Sequence, residues 1–144
     1  MKLIIANWKM NPTMLEEAVA LARATDIEGL VIAPPFPFLE AVGKELKHAL
    51  LGAQDLFWEN PPTGGAFTGE VSADELKALG ARYVIVGHSE RRKNLGETDE
   101  MIAKKMKAAS DSGLIPVLCV GESREEHDAG RAKEIVNREL RLGL

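Results

Sequence analysis

The sequence predicts an α/β fold built on a parallel sheet. Short apolar runs recur along the chain, each separated from the next by about the length of one helix, and the runs are continuously apolar rather than alternating. Such strands, alternating with helices, are typical of parallel sheets whose two faces are covered. We therefore expect about five β-α units in one domain spanning residues 1–144. The predicted strands are residues 3–6, 30–33, 50–53, 83–86 and 115–120.

Helix starts are predicted where a serine or threonine precedes a glutamate by three residues, because the two side chains can bond each other's backbone amides. Two longer helices are predicted over residues 38–47 and 97–112, and a final helix follows the last strand. The predicted capping pairs are Thr13 with Glu16, Ser72 with Glu75, and Ser123 with Glu126.

The composition, 45% hydrophobic and 28% charged, is ordinary for a globular domain and argues against collagen-like, disordered and disulfide-rich classes. A net charge of −4 without a basic block argues against nucleic-acid binding. No apolar run approaches the roughly 20 residues that span a bilayer, and the segment before Asn7 is too short for a signal peptide. A single cysteine, Cys119, cannot form an intrachain disulfide, so we expect a reducing, cytoplasmic setting.

Polar residues follow the first predicted strand. Asn7 and Lys9 are two positions apart, so an extended backbone directs both side chains to the same side. All strands of a parallel sheet end on one side, where ligands bind. A lysine there suits a phosphate or a developing oxyanion. The spacing alone leaves open that Lys9 is a solvated loop residue.

A second polar cluster follows the fourth strand. Ser89 can cap a helix, which would put His88 at the helix N-terminus, where the dipole disfavours the imidazolium. A neutral imidazole there can donate a hydrogen bond to a carbonyl oxygen; a purely structural histidine is the alternative. Glu90 could pair with Lys9 or favour the helix start. Arg91 and the following arginine, residue 92, could equally form a solvated face.

The remaining reactive residue types carry no catalytic prediction. His48 and His127 lie in polar helical stretches and are expected at the surface. Cys119 lies in an apolar strand and is expected in the core rather than as a nucleophile. The sequence contains no CxxC, HExxH or Walker motif, so nothing in it predicts a metal or nucleotide cofactor.

Several segments together resemble the triosephosphate isomerase family. They are residues 6–11 (ANWKMN), 65–70 (GAFTGE) and 86–92 (VGHSERR), with weaker matches at 33–35 and 118–122. Their joint occurrence in this order is specific, and it covers essentially the whole chain. The family fold is a parallel (β/α) TIM barrel, and a barrel of this kind takes about 250 residues. The resemblance therefore implies an incomplete TIM barrel of about five of eight units.

The resemblance also implies an activity and roles for particular residues. Asn7 and Lys9 would bind the triose phosphate substrate, with Lys9 near the phosphate and the enediolate. His88 would polarise the substrate carbonyl as a neutral imidazole, and Glu90 would sit beside Lys9 and assist proton movement. The family reaction interconverts dihydroxyacetone phosphate and glyceraldehyde 3-phosphate in glycolysis and gluconeogenesis, with no cofactor and no metal.

The long loop over residues 54–71 gains a role from the same resemblance. In the family this loop inserts into a partner subunit, so Thr68, Glu70 and Arg91 would belong to an interface in a homo-oligomer. A self-packed surface loop is the alternative. Asp55 stands where the family usually has asparagine, which brings a carboxylate near the expected interface.

The family's catalytic base, a glutamate in a Tyr-Glu-Pro-Val-Trp segment after the sixth strand, has no counterpart among these 144 residues. A positioned general base contributes about 10²–10⁴-fold. Whether the chain turns over substrate unaided therefore stays open.

Three hypotheses remain. The chain is an isomerase part that works with a complementary C-terminal segment, a non-catalytic module that self-associates through the open edges of its first and fifth strands, or an unrelated doubly wound domain. A barrel part should pair its strands in sequence order, whereas a doubly wound sheet reverses direction.

Overall fold

A parallel sheet forms the centre of the structure, a computed structural model that describes residues 3–144. Its strands are β1 (Ile4–Asn7), β2 (Leu30–Ala33), β3 (Leu50–Ala53), β4 (Tyr83–Val86) and β5 (Ile115–Leu118). They pair in sequence order, and every pair is parallel. The expected sequential order is confirmed. A doubly wound sheet would reverse direction, so the third hypothesis is wrong.

The helices lie between the strands, as the alternating pattern predicted. A 3-10 turn, Phe36–Phe38, precedes the second helix. Gly96 adopts a left-handed φ of 69° and ends the fourth helix. The helix predicted at 97–112 begins at Asp99, because the Thr98 side chain accepts from the Met101 amide and caps it there. The helices are α1 (Leu15–Ala24), α2 (Leu39–Glu45), α3 (Ala73–Ala78), α4 (Ser89–Leu95), α5 (Asp99–Asp111), α6 (Arg124–Asp128) and α7 (Ala132–Gly143).

Two of the three predicted capping pairs are confirmed. Ser72 caps α3 and Ser123 caps α6, each reciprocally with the glutamate three residues later. The predicted pair at Thr13 is wrong, because α1 begins at Leu15 with Met14 as its cap and no side-chain cap bond. Thr13 therefore lies one residue outside the cap position, where its hydroxyl does not serve the free amides of the first turn.

The core lies between the sheet and the helices and is centred on the middle strands. Ile32 and Val84 face the helices and are fully buried. Val31 and Ile85 point to the opposite face and are 0% and 5% exposed, as expected for strands covered on both sides. A Cβ at Gly52 would lie 2.7 Å from a Val31 methyl, so glycine allows the close approach of β2 and β3 on this face.

The outer strands are much less covered than the middle ones. Ile4 of β1 is 61% exposed and Ile115 of β5 is 46% exposed. Within residues 3–144, each outer strand has a partner on one side only. None of the helices in this range is long and apolar enough to cross a membrane.

Candidate active site

The pocket at the carboxyl ends of the strands brings together the two polar clusters that the sequence singled out. Asn7 is the last residue of β1, and Lys9 follows two residues later. His88 follows β4, and Glu90 lies in the first turn of α4. All four line one cavity of about 500 Å³. Its remaining lining residues are Met10, Asn11, Gln54, Arg91, Asn94 and Leu95.

Lys9 has an unusual backbone. Its φ of 55° is the only positive value at a non-glycine residue among residues 3–144. The Lys9 amide donates to Asn7 Oδ1 at 2.9 Å, and the Lys9 carbonyl accepts from Gln54 Nε2 at 2.8 Å. Side chains therefore hold the peptide groups on both sides of this residue.

The side chains of Lys9 and Glu90 form an ion pair across the mouth of the pocket. Lys9 Nζ donates to Glu90 Oε1 at 2.7 Å, and the two side chains are 52% and 51% exposed. The hydrogen bond from Lys9 lowers the pKa of Glu90 from its ordinary value. Of the two possibilities for Glu90 left by the sequence, charge pairing with Lys9 is observed, and its position in the first turn also suits the helix dipole.

His88 is the N-cap residue of α4. Its Nδ1 accepts a hydrogen bond from the Glu90 amide at 3.2 Å. The prediction that Ser89 caps this helix is wrong, because Ser89 is already the first helical residue and the His88 ring occupies the capping position. A ring nitrogen that accepts a hydrogen bond carries no proton, so this contact leaves Nε2 as the ring nitrogen that can donate.

A buried charge cluster lies behind the pocket. Lys105 of α5, with a side chain only 3% exposed, donates to both Asp55 oxygens at 2.7 Å and to Glu97 Oε1 at 2.5 Å. Arg91 bridges the same two acids, with distances of 2.8 Å to Asp55 and 2.6 Å to Glu97. Two carboxylates and two cations thus neutralise one another, and the cluster connects the wall of the pocket to α5.

The two acids of this cluster respond differently to burial. Desolvation raises the pKa of Asp55, and the neighbouring Lys105 only partly offsets it. Burial also acts to raise the pKa of Glu97, but the hydrogen bonds from Lys105 and Arg91 outweigh it and the pKa is lowered. The carboxylate of Asp55, which stands where the family usually has asparagine, is therefore paired inside the protein rather than exposed beside the loop.

The loop residues that the resemblance placed at an interface lie apart from the pocket. Thr68 and Glu70 are exposed, and neither lines the cavity that contains Arg91. The aromatic rings of the loop pack on one another, with Phe57 at 4.3 Å from Trp58 and 4.9 Å from Phe67 between centroids. Part of the loop is therefore self-packed, and the interface role of Thr68, Glu70 and Arg91 stays a prediction.

The sequence left open that Arg92 lies on a solvated face, but in the structure its side chain is only 16% exposed. Its Nε donates to the Gly87 carbonyl at 2.9 Å, and its Nη1 lies 2.6 Å from Asp99 and 3.5 Å from Glu139. The guanidinium thus ties the end of β4 to α5 and α7. The local sequence does not predict these contacts of Arg92, because its acidic partners belong to later helices.

The other candidate reactive residues stay outside the site chemistry. The prediction that Cys119 lies within the fifth strand and in the core is wrong, because β5 ends at Leu118 and Cys119 is only partly buried. This burial still raises the pKa of its thiol, which disfavours the nucleophilic thiolate. His48 and His127 are exposed, as predicted. In the part of the chain that the structure describes, no three histidine, cysteine or acidic side chains come together to hold a metal ion.

Comparison with known proteins identifies the family of this fold. The family model described as triosephosphate isomerase matches residues 2–144. Triosephosphate isomerase of Dictyoglomus thermophilum is 46% identical over 151 residues, covering 99% of this chain and 59% of that protein. The enzyme of Rubrobacter xylanophilus is 47% identical over 148 residues, covering 96% of this chain and 57% of that protein.

Solved structures give the same result. A crystal structure of triosephosphate isomerase from Bartonella henselae superposes with a TM-score of 0.88 at 36% identity, covering 99% of this chain and 60% of that one. The chain therefore spans about three-fifths of the length of the relatives it matches, and the predicted incomplete TIM barrel is confirmed. This chain belongs to the triosephosphate isomerase family.

Proposed function

We propose that this chain carries the electrophilic half of a triosephosphate isomerase site, which acts in the interconversion of dihydroxyacetone phosphate and glyceraldehyde 3-phosphate. The observation that carries the proposal is the shared pocket of Asn7, Lys9, His88 and Glu90 at the carboxyl ends of the strands. The reaction belongs to glycolysis and gluconeogenesis, and we propose the cytoplasm as its location.

In the proposed mechanism the cation and the imidazole stabilise negative charge. Lys9 attracts the substrate phosphate and the developing enediolate, and Asn7 contacts the same ligand. His88 Nε2 donates a hydrogen bond to the substrate carbonyl oxygen, which polarises the carbonyl and stabilises the enediolate. Glu90, paired with Lys9 at 2.7 Å, orients the ammonium and assists proton movement between the substrate oxygens.

A carbon-bound proton must also be removed. Glu90 is the only carboxylate among the described residues that line the pocket, and its hydrogen bond to Lys9 lowers its pKa. A weakly basic, paired carboxylate is a poor base for this step. We therefore propose that a complementary C-terminal segment supplies the base when the site is complete.

An isomerase assay tests this proposal. The 144-residue chain is measured alone and after mixing with the remaining two-fifths of the Dictyoglomus thermophilum relative. We expect turnover to appear or rise strongly on mixing, and we expect a His88→Gln variant with unchanged folding to lose it. Absence of turnover in every mixture, or full turnover by the His88→Gln variant, would contradict the proposed roles.

A non-catalytic, self-associating module is the second candidate, and the exposed outer strands favour it. Ile4 and Ile115 leave apolar surface at both edges of the sheet, and open edges recruit other strands. Sedimentation of the chain alone tests this function. A folded homo-oligomer that the complementary segment neither dissociates nor activates would support it over the isomerase.

A further inference from the structure

The strained backbone at Lys9 requires an explanation. A non-glycine residue with a φ of 55° has its Cβ crowded against its own backbone, so the surrounding structure must hold it there. The conformation matters because it sets the direction in which the Lys9 side chain leaves the backbone. The side chain reaches Glu90 from this position and lies along the pocket.

The side-chain amide of Gln54 bonds the carbonyl of this strained residue. Gln54 follows β3 directly, and its Nε2 donates to two carbonyl oxygens at 2.8 Å each, those of Lys9 and Ala33. The Ala33 carbonyl also accepts from the Trp8 amide at 3.1 Å. One amide group therefore joins the ends of β2 and β3 to the loop that follows β1.

The chemistry of this clamp suits glutamine. Two acceptors converge on one nitrogen, so the side chain must supply two N–H donors, which an amide has. A carboxylate of the same length would bring negative charge to two carbonyl oxygens. A methionine would fill the same space and donate nothing. Only one other side chain, that of Asn7, bonds the backbone of Lys9 among residues 3–144.

We propose that Gln54 is a positioning residue, which holds the Lys9 peptide in its left-handed conformation and thereby directs the ammonium into the phosphate-binding pocket. The inference rests on the proposed function only in taking Lys9 as the phosphate-binding cation. It explains why Gln54 lines the pocket while its donors point into the backbone.

The main test is Gln54→Met in the 144-residue chain, studied by NMR. The wild-type chain should show the strong cross-peak between the Lys9 amide proton and its own α-proton that a positive φ produces. We expect Gln54→Met to weaken this cross-peak. We also expect it to lower the affinity for dihydroxyacetone phosphate about fivefold, which is the change in an equilibrium constant that the loss of one ordinary hydrogen bond produces.

Asp26→Asn is the matched control. The Asp26 carboxylate accepts from the amides of residues 47–49, just before β3, and so provides a comparable side-chain clamp at the opposite end of the same strand. We expect this variant to be less stable but to keep the Lys9 cross-peak and the affinity. A folded Gln54→Met variant with both readouts unchanged would overturn the proposal.

Gln54→Glu keeps the proposal testable if Gln54→Met does not fold. A protonated carboxyl group can donate one of the two hydrogen bonds, whereas the ionised form donates none. The ratio of wild-type to variant affinity should therefore rise with pH as the introduced carboxyl ionises, and a flat ratio would count against the clamp. If the wild-type chain binds no dihydroxyacetone phosphate even with the complementary segment present, the proposed function fails, while the Lys9 cross-peak still decides the role of Gln54.

Discussion

The two sides of the pocket are built differently. His88 follows β4, a middle strand whose residues Val84 and Val86 are fully buried. Behind it, Arg91 enters the charge cluster with Lys105. Asn7 is instead the last residue of β1, an outer strand in which every residue is at least partly exposed, and Lys9 lies two residues later.

This difference shows how much of the site the described chain supports by itself. The His88 side is held by apolar packing and by charges removed from water. On the other side of the pocket Trp8 packs against the core, while Lys9 itself is held by polar contacts, namely those of Asn7 and Gln54 with its backbone and the exposed pair with Glu90. Exposed ion pairs contribute little to stability, so the pair with Glu90 adds little to the stability of this side of the pocket.

The largest expected effect is that of Lys105→Met on the His88 side. Removing this cation leaves Asp55 and Glu97 buried with only Arg91 between them, and breaking a buried pair in this way costs about 3–5 kcal/mol. Urea unfolding measures the change. Lys107→Met, which removes an exposed partner of Asp111 on the same helix, is the control and should leave stability nearly unchanged.

Substitutions in a middle and an outer strand test the comparison directly. Ile32→Ala removes a fully buried side chain from β2 and should lower the free energy of unfolding by about 2–5 kcal/mol. Ile4→Ala in β1, where the side chain is 61% exposed, should cost about 0.5 kcal/mol or less. Similar losses for the two variants would mean that the edge of β1 is covered in solution.

The pH dependence of stability tests the electrostatics of the charge cluster. Burial raises the pKa of Asp55 above its ordinary value of 3.8. Between the ordinary pKa and the raised one, this carboxyl group is therefore protonated in the folded chain and ionised in the unfolded chain. Stability from this group therefore falls as pH rises through the window between the two values. Asp55→Asn should become less harmful as pH increases, as measured by urea unfolding between about pH 3 and about pH 7.

Asp26→Asn provides the opposite case for the same measurement. Backbone hydrogen bonds, that of Ala49 first, lower the pKa of Asp26 below its ordinary value. The stability it contributes is present above the unfolded pKa and is lost as pH falls through the folded one. This variant should therefore become more harmful as pH increases, and parallel trends for the two variants would contradict the assigned shifts.

The smallest expected change in stability is that of Lys9→Met. The ammonium is half exposed and its partner Glu90 is at the surface, so the free energy of unfolding should hardly change. Affinity for dihydroxyacetone phosphate should nevertheless fall, because the cation is lost from the pocket. A large loss of stability would show that the Lys9 side is more firmly built than its contacts indicate.

Local sequence patterns predicted the framework well. The apolar runs located four of the strands and their spacing located the third, at residues 50–53, and the pairs at Ser72 and Ser123 correctly marked two helix starts. These signals are readable because strand burial and helix capping depend on residues close in the chain. Thr13 failed because the same pattern does not say whether the helix begins there or two residues later.

The buried charges and the Lys9 clamp could not be predicted in this way. Lys105 meets Asp55 across 50 positions of the chain, and Gln54 meets Lys9 across 45. In the sequence Lys105 looks like any solvated lysine of an amphipathic helix, and Gln54 like a polar loop residue. Only the packing of α5 against the sheet and the pairing of β1, β2 and β3 give these side chains their partners.

The sequence by itself determined the order of strands and helices, the family motifs and the residue types available at the strand ends, because these follow from neighbouring residues and their spacing. The tertiary structure decided which of those residues meet. It paired Lys9 with Glu90, directed the Glu90 amide at His88 Nδ1 and buried the partners of Arg91. Hydrogen bonds and ion pairs require atoms within about 3 Å of each other, and for residues far apart in the chain only the fold sets that distance.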